Sequence, residues 1–107
     1  MLDLKKLLTK ILNALTPTSG TYITNIGNIP YSKAGGTVTL HFQGIGNGLS
    51  TTSVTGLPTP KGGGYCLVLL YYGSTYVANL EFYRGVWTFN RVTGTTPAYG
   101  SITYVAA

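Results

Sequence analysis

Residues 64–90, GYCLVLLYYGSTYVANLEFYRGVWTFN, restrict the fold more than any other part of the chain. Apolar runs alternate there with two short turn signals. The first run covers residues 65–72. Gly73-Ser74 then suits a two-residue hairpin turn, because glycine accepts the positive φ that such turns require. Residues 75–83 follow, with Tyr76, Ala78, Leu80 and Phe82 on one face and Val77, Asn79, Glu81 and Tyr83 on the other. Arg84-Gly85 is a weaker turn signal ahead of residues 86–90. The pattern predicts an antiparallel meander of three strands.

The first of these strands is apolar on both faces. Cys66, Val68 and Leu70 point one way; Tyr65, Leu67, Leu69 and Tyr71 point the other. An antiparallel sheet in a small monomer commonly wets one face and alternates cleanly. Two readings fit: a central strand within a two-layer sandwich, or a strand whose second face packs against other subunits. The second is the expectation here, with Tyr65, Leu67, Leu69 and Tyr71 at a subunit contact, because the N-terminus also needs a partner.

That N-terminus, MLDLKKLLTKILNAL, predicts one helix over residues 1–15. Met1, Leu4, Leu8, Ile11 and Leu15 recur at alternating spacings of three and four, the a/d pattern of a coiled coil. Leu7, Leu12 and Ala14 widen the apolar face. Pro17 stops the helix. About fifteen residues of isolated helix are marginal in water, so this face must bury against something. Its own β-domain, a short parallel bundle of copies, or a membrane surface would each serve; the bundle is the expectation. Lys5, Lys6 and Lys10 interrupt any apolar core of a signal peptide, and none is expected. Nor does any stretch reach the length of a transmembrane helix.

The rest reads as strands and turns. Residues 17–20 read as a linker after a helical segment at 1–16, and residues 21–107 as a β-domain. Within it, residues 22–26 form a weak strand and residues around Asn28-Ile29-Pro30 a loop. TVTLHFQ, residues 37–43, is a clear strand with Val38, Leu40 and Phe42 inward and His41 on the wet face. Residues 49–57 and 99–107 are further strands, and 44–48, 58–64 and 91–98 are loops. About seven short strands with turn punctuation predict a mainly β fold, an antiparallel β-sandwich or jelly roll with one N-terminal helix. A simple up-down order places loops 44–48, 73–75 and 91–98 at one end and 58–64 and 84–85 at the other.

Composition narrows the chemistry. Only 8% of residues are charged, against about 25% in a typical soluble domain. Gly, Thr, Ser, Asn and Tyr fill the gap, giving a surface suited to hydrogen bonding and stacking. The net charge is +5, but Lys5, Lys6 and Lys10 lie on the helix and Lys33, Lys61, Arg84 and Arg91 are scattered. A nucleic-acid partner normally needs a basic stripe, so none is expected. Cys66 has no partner for an internal disulfide and reads as a structural thiol. Asp3 and Glu81, far apart in the sequence, do not suggest the flanking pair of a glycosidase. A single His argues against a metal cluster, and Gly62-Gly63-Gly64 lacks the context of a phosphate loop. No enzyme activity, cofactor or metal is expected. Binding is better supported: Tyr72, Tyr76, Tyr83, Trp87 and Tyr99 exceed what this core obviously needs. Aromatic faces flanked by Asn, Ser and Thr suit a neutral sugar, although cross-strand pairing explains such tyrosines too.

The leucine-rich starter helix, the glycine-punctuated β-domain and the terminal strand GSITYVAA after GVWTFN together resemble the small receptor-binding head of bacteriophage tail fibres, in phages of Gram-positive gut bacteria. The resemblance covers residues 37–107; MLDLKKLLTKILN also looks like the start of related short phage proteins. It implies a homotrimer about a fibre axis, a jelly-roll-like head, a place in the virion after synthesis in the host cytoplasm, and binding of host cell-surface polysaccharide. The helix would set the three-fold axis and could attach to other virion proteins. Within the loops away from the helix, the expected ligand contacts are Asn47, Tyr72, Ser74, Arg91, Thr95 and Tyr99. A structural virion protein without a ligand is the alternative; a single-strand nucleic-acid binder on an aromatic sheet is a third.

Overall fold

The computed structural model of the chain describes residues 3–15 and 17–107, the side chains of residues 13–15 excepted. In chain order the elements are α1 (Leu4–Leu15), β1 (Thr18–Thr24), β2 (Gly27–Ala34), β3 (Thr37–Ile45), β4 (Thr52–Val54), β5 (Cys66–Tyr72), β6 (Thr75–Tyr83), β7 (Val86–Arg91) and β8 (Ala98–Val105), with a 3-10 turn at Lys61–Gly63.

The meander β5–β6–β7 forms where its turns demand. Tyr72 pairs with Thr75 across Gly73-Ser74, and Tyr83 pairs with Val86 across Arg84-Gly85. Arg84 and Gly85 both hold positive φ, 49° and 84°, the pattern of the hairpin turn whose twist matches its strands. One face assignment changes. Leu70 pairs with Ala78 but Tyr71 pairs with Tyr76, so Val77 is an extra residue in the ladder. This β-bulge buries Val77 beside Ala78 and turns Tyr76 to the outer face, where strict alternation had placed Val77.

Among the described residues there are eight strands rather than about seven, all antiparallel, in the order β1-β2-β3-β8-β5-β6-β7-β4. Two expectations fail at the N-terminal side. β1 starts at Thr18, inside the stretch that reads as a linker, and β2 runs through Asn28-Ile29-Pro30, which reads as a loop. Pro30 fits because the β2–β3 ladder begins only at Tyr31, so its missing N–H interrupts no bond on that side. In the other direction, the strand expected over residues 49–57 shortens to β4.

The sheet is curled into two four-stranded halves, β1-β2-β3-β8 and β5-β6-β7-β4. At one corner they join through the Tyr71–Tyr99 pair of β5 and β8. At the other, Asn25 in the β1–β2 turn spans to β4. Its Nδ2 donates to the Ser53 carbonyl at 2.7 Å, and its Oδ1 accepts from the Thr55 N–H at 3.0 Å. Ile29, Val38, Leu40 and Phe42 from one half and Leu70, Leu80, Phe82 and Phe89 from the other share a single core. Burying these side chains stabilises each by about 1.5–3 kcal/mol relative to exposure. Trp87 belongs to this core, buried against Phe82 and Tyr104, with its Nε1–H donating to the Pro58 carbonyl; it is not a surface aromatic.

The registers place the 44–48 loop, the β5–β6 turn and the 91–98 loop at one end, here the distal end. The 35–36 and 84–85 turns and Pro60, bridged to Ala106, lie at the other. Thr18 pairs with Lys33, so α1 joins the chain at that second end. Asp3 is the N-cap of α1: its Oδ1 accepts from the Lys6 N–H at 3.2 Å. Leu4, Leu7, Leu8, Ile11 and Leu12 all remain exposed, so α1 does not bury its apolar face on the β-domain. Met1, Thr16 and the side chains of Ala14 and Leu15, which the sequence placed in the helical segment, lie outside the described residues. No helix among the described residues is long and apolar enough to cross a membrane.

Candidate functional site

Two surface regions gather the polar and aromatic side chains that the sequence singles out. The first is the distal corner, where β8 begins beside the end of β5. The Tyr71–Tyr99 pairing brings Tyr72 next to Tyr99, with ring centroids 6.4 Å apart and planes tilted by 37°. Both rings are about half exposed. Ser74 is exposed in the adjoining turn. Asn47 and Thr95 are exposed on neighbouring loops, tied by the Gly48 N–H donating to the Thr95 carbonyl at 2.7 Å.

Arg91 lies at the same end but is committed inward. Its Nε donates to the Leu49 carbonyl at 2.9 Å and its Nη2 to the Gly46 carbonyl at 2.6 Å. The guanidinium also sits over the Phe89 ring, 5.0 Å from its centroid. Arg91 thus clamps the segment that crosses from β3 to β4 through Nε and Nη2, while its buried Nη1 has no hydrogen-bond partner among the described residues. A fixed planar fork bridging two carbonyls is a task for arginine.

The second region is the outer face of β5, β6 and β7, and only part of it was legible. Alternation put Asn79, Glu81 and Tyr83 outward, but their links to other strands depend on register. Leu67 pairs with Glu81 and Glu81 with Thr88; Leu69 pairs with Asn79 and Asn79 with Asn90. The result is a continuous hydrogen-bonded ladder. Asn79 Nδ2 donates to Tyr76 Oη at 2.8 Å, and Asn90 Nδ2 donates to Asn79 Oδ1 at 2.8 Å and Glu81 Oε1 at 3.3 Å. Tyr65 Oη donates to Glu81 Oε2 at 3.1 Å. Beside the ladder, Tyr65, Leu67, Leu69 and Tyr71 remain exposed, so among the described residues nothing covers the second apolar face of β5.

The groups considered for catalysis are separated or engaged elsewhere. Asp3 caps α1 and Glu81 is held in the ladder. Cys66 packs against the core, and burial raises its thiol pKa, which disfavours the thiolate. No group of three or more His, Cys, Asp or Glu side chains that could hold a metal gathers among the described residues. A groove of about 470 Å³ lies along α1 beside Asp3, Lys5, Lys6, Thr9 and Lys10, and shares no residue with either region. No protein-family model, curated protein or solved structure matches this chain.

Proposed function

We propose that this chain is an adhesion module, a receptor-binding head of the phage tail-fibre type that recognises a neutral bacterial surface polysaccharide. The observation that carries the reading is the exposed Tyr72–Tyr99 pair at the end away from α1, with Ser74 in the adjoining turn and Asn47 and Thr95 exposed on loops of the same end. Exposed aromatic faces next to hydroxyls and amides are what CH–π stacking and sugar hydrogen bonding require. The two sheet halves facing each other across one core support a sandwich-like, jelly-roll-related head.

In this reading the active form is a homotrimer joined through α1. Leu4, Leu8 and Ile11 form an exposed apolar seam with Leu7 beside it, and its one such pair, Leu8 at a with Ile11 at d, is the combination that favours three or four strands over two. Three identical heads would convert weak single contacts into avid adhesion. The seat in the virion, and attachment through the helix end, belong to the same proposal. Light scattering on the whole chain should give a mass near three times 11.3 kDa, and a chain beginning at Thr18 should give a monomer. The double variant Tyr72→Ala/Tyr99→Ala should keep the trimer and lose retention on host cells. A monomeric whole chain would sink the fibre reading; undiminished adhesion of the double variant would sink the site.

One observation favours a second reading. The exposed stripe Tyr65, Leu67, Leu69 and Tyr71 suits burial in an assembly, as in a structural virion protein that binds no ligand. That reading expects no retention on any polysaccharide.

A further inference from the structure

The ladder on the outer face of β5–β6–β7 is built before any ligand arrives, and its bonding leaves groups to spare. Asn90 spends its Nδ2 hydrogens on Asn79 and Glu81, which leaves its Oδ1 as an acceptor. Asn79 spends one N–H on Tyr76 and keeps the other; Tyr76 accepts that bond and keeps its own O–H. Each Glu81 oxygen accepts one bond and has a further lone pair. Donors and acceptors therefore alternate along fixed side chains, so little rotamer entropy remains to be lost on binding.

The surroundings define the chemistry of the occupant. Leu67 and Leu69 border the ladder as an exposed apolar strip. Tyrosines frame both ends: Tyr65 and Tyr83 meet edge to face at 6.1 Å, and Tyr71 and Tyr76 lie 5.8 Å apart. From Tyr76 to Tyr83 along β6 the surface spans roughly 20 Å at about 3.3 Å per residue. The one charge inside the ladder is the Glu81 carboxylate, which accepts hydroxyl donors and repels anions. A second copy of the chain would bury that carboxylate and leave the spare Asn79 and Asn90 groups in need of partners.

We infer that this face is a second binding site, distinct from the distal corner, for a neutral hydroxyl-rich chain such as an extended glycan lying along the strands. The inference rests on the adhesion reading but not on its site. The hydroxyls of the glycan meet Asn79, Glu81 and Asn90, and its C–H faces meet the leucine strip and the framing tyrosines.

The test is nitrogen-15 NMR of the full chain titrated with hexasaccharides of glucose, galactose, rhamnose and N-acetylglucosamine and with soluble Gram-positive wall polysaccharides. Saturable shifts of the Asn79 and Asn90 side-chain amides are expected for at least one sugar. They should persist in Tyr72→Ala/Tyr99→Ala and weaken about tenfold in Asn90→Ala, as expected for a lost hydrogen bond. Tyr83→Ala, on the exposed rim, provides a second variant should Asn90→Ala fail to fold. Shifts confined to the surroundings of Tyr72 and Tyr99 would overturn this site and leave adhesion standing. No saturable shift with any sugar would overturn both. Ladder amides that shift instead with protein concentration would assign the face to a second copy and overturn the glycan site.

Discussion

Asn25 donates from its side-chain amide to the Ser53 carbonyl at 2.7 Å, so a turn of one sheet half is bonded to the edge strand of the other. The same carboxamide accepts from Thr55 N–H, and so does the work of a short strand between β1 and β4. Asn25→Ala removes both bonds. The expected loss is about 1–2 kcal/mol, since the freed groups are near the surface and water replaces part of the bonding. For a domain of this size that lowers Tm by about 4–8 °C per kcal/mol. Asn25→Asp keeps the acceptor for Thr55 but sets a carboxylate against the Ser53 carbonyl, and should be no more stable than the alanine variant. Urea titration of the three proteins checks the order.

Gly46 holds φ at 68°, and a Cβ there would stand 2.5 Å from the Phe89 ring. Gly46→Ala therefore combines left-handed backbone strain with overpacking of a fully buried aromatic. Together these cost about 2–4 kcal/mol. Gly48 shares the positive φ, at 76°, with open space around it. Its alanine variant carries the strain alone and should lose about 1 kcal/mol. Equal losses at the two sites would show that the Phe89 contact is unimportant.

Arg91 pins the chain between β3 and β4 through the Gly46 and Leu49 carbonyls. Lysine cannot span both with a fixed geometry, so Arg91→Lys should lose about 1.5–3 kcal/mol, the range for hydrogen bonds to charged groups. Amide exchange should quicken first at Gly46 and Leu49, whose N–H groups bond to Ile26 and Gly46 carbonyls respectively. Arg91→Lys, correctly folded, should still bind whatever the distal tyrosines bind. A selective loss of binding without faster exchange would return Arg91 to the ligand site.

Tyr104 donates from its Oη to the Pro58 carbonyl at 2.7 Å, and burial, then the nearby Tyr22 and Cys66, push its pKa well above 10.0. The folded-state value is thus higher than the unfolded one. Its contribution to stability is fully present below about pH 10. Above that, the unfolded chain releases the phenolic proton while the folded chain retains it, so stability falls as pH rises. Tyr104→Phe should flatten this alkaline decline while lowering stability at pH 7 by about 1 kcal/mol for the lost bond. An unchanged alkaline slope in the variant would assign the decline to other tyrosines.

The sequence by itself determined the local elements. Two-residue periodicity and turn glycines set the β5–β6–β7 meander, the inward face of β3 and the last strand; a three-four leucine spacing set α1. These depend on neighbours a few residues away, and the side-chain period of strand or helix expresses them directly. Tertiary structure alone decided the rest. Arg91 looked like a loop cation, but its carbonyl partners lie 42 and 45 positions earlier. Asn25 read as part of a weak strand over residues 22–26, but it sits in the β1–β2 turn, with its partner carbonyl 28 positions on. The bulge at Val77 exchanged the faces of Tyr76 and Val77, because ladder register is a property of two strands rather than one. For the same reason Asn79, Glu81 and Asn90 were readable singly as outward polar residues, and became a ladder only when β5, β6 and β7 paired.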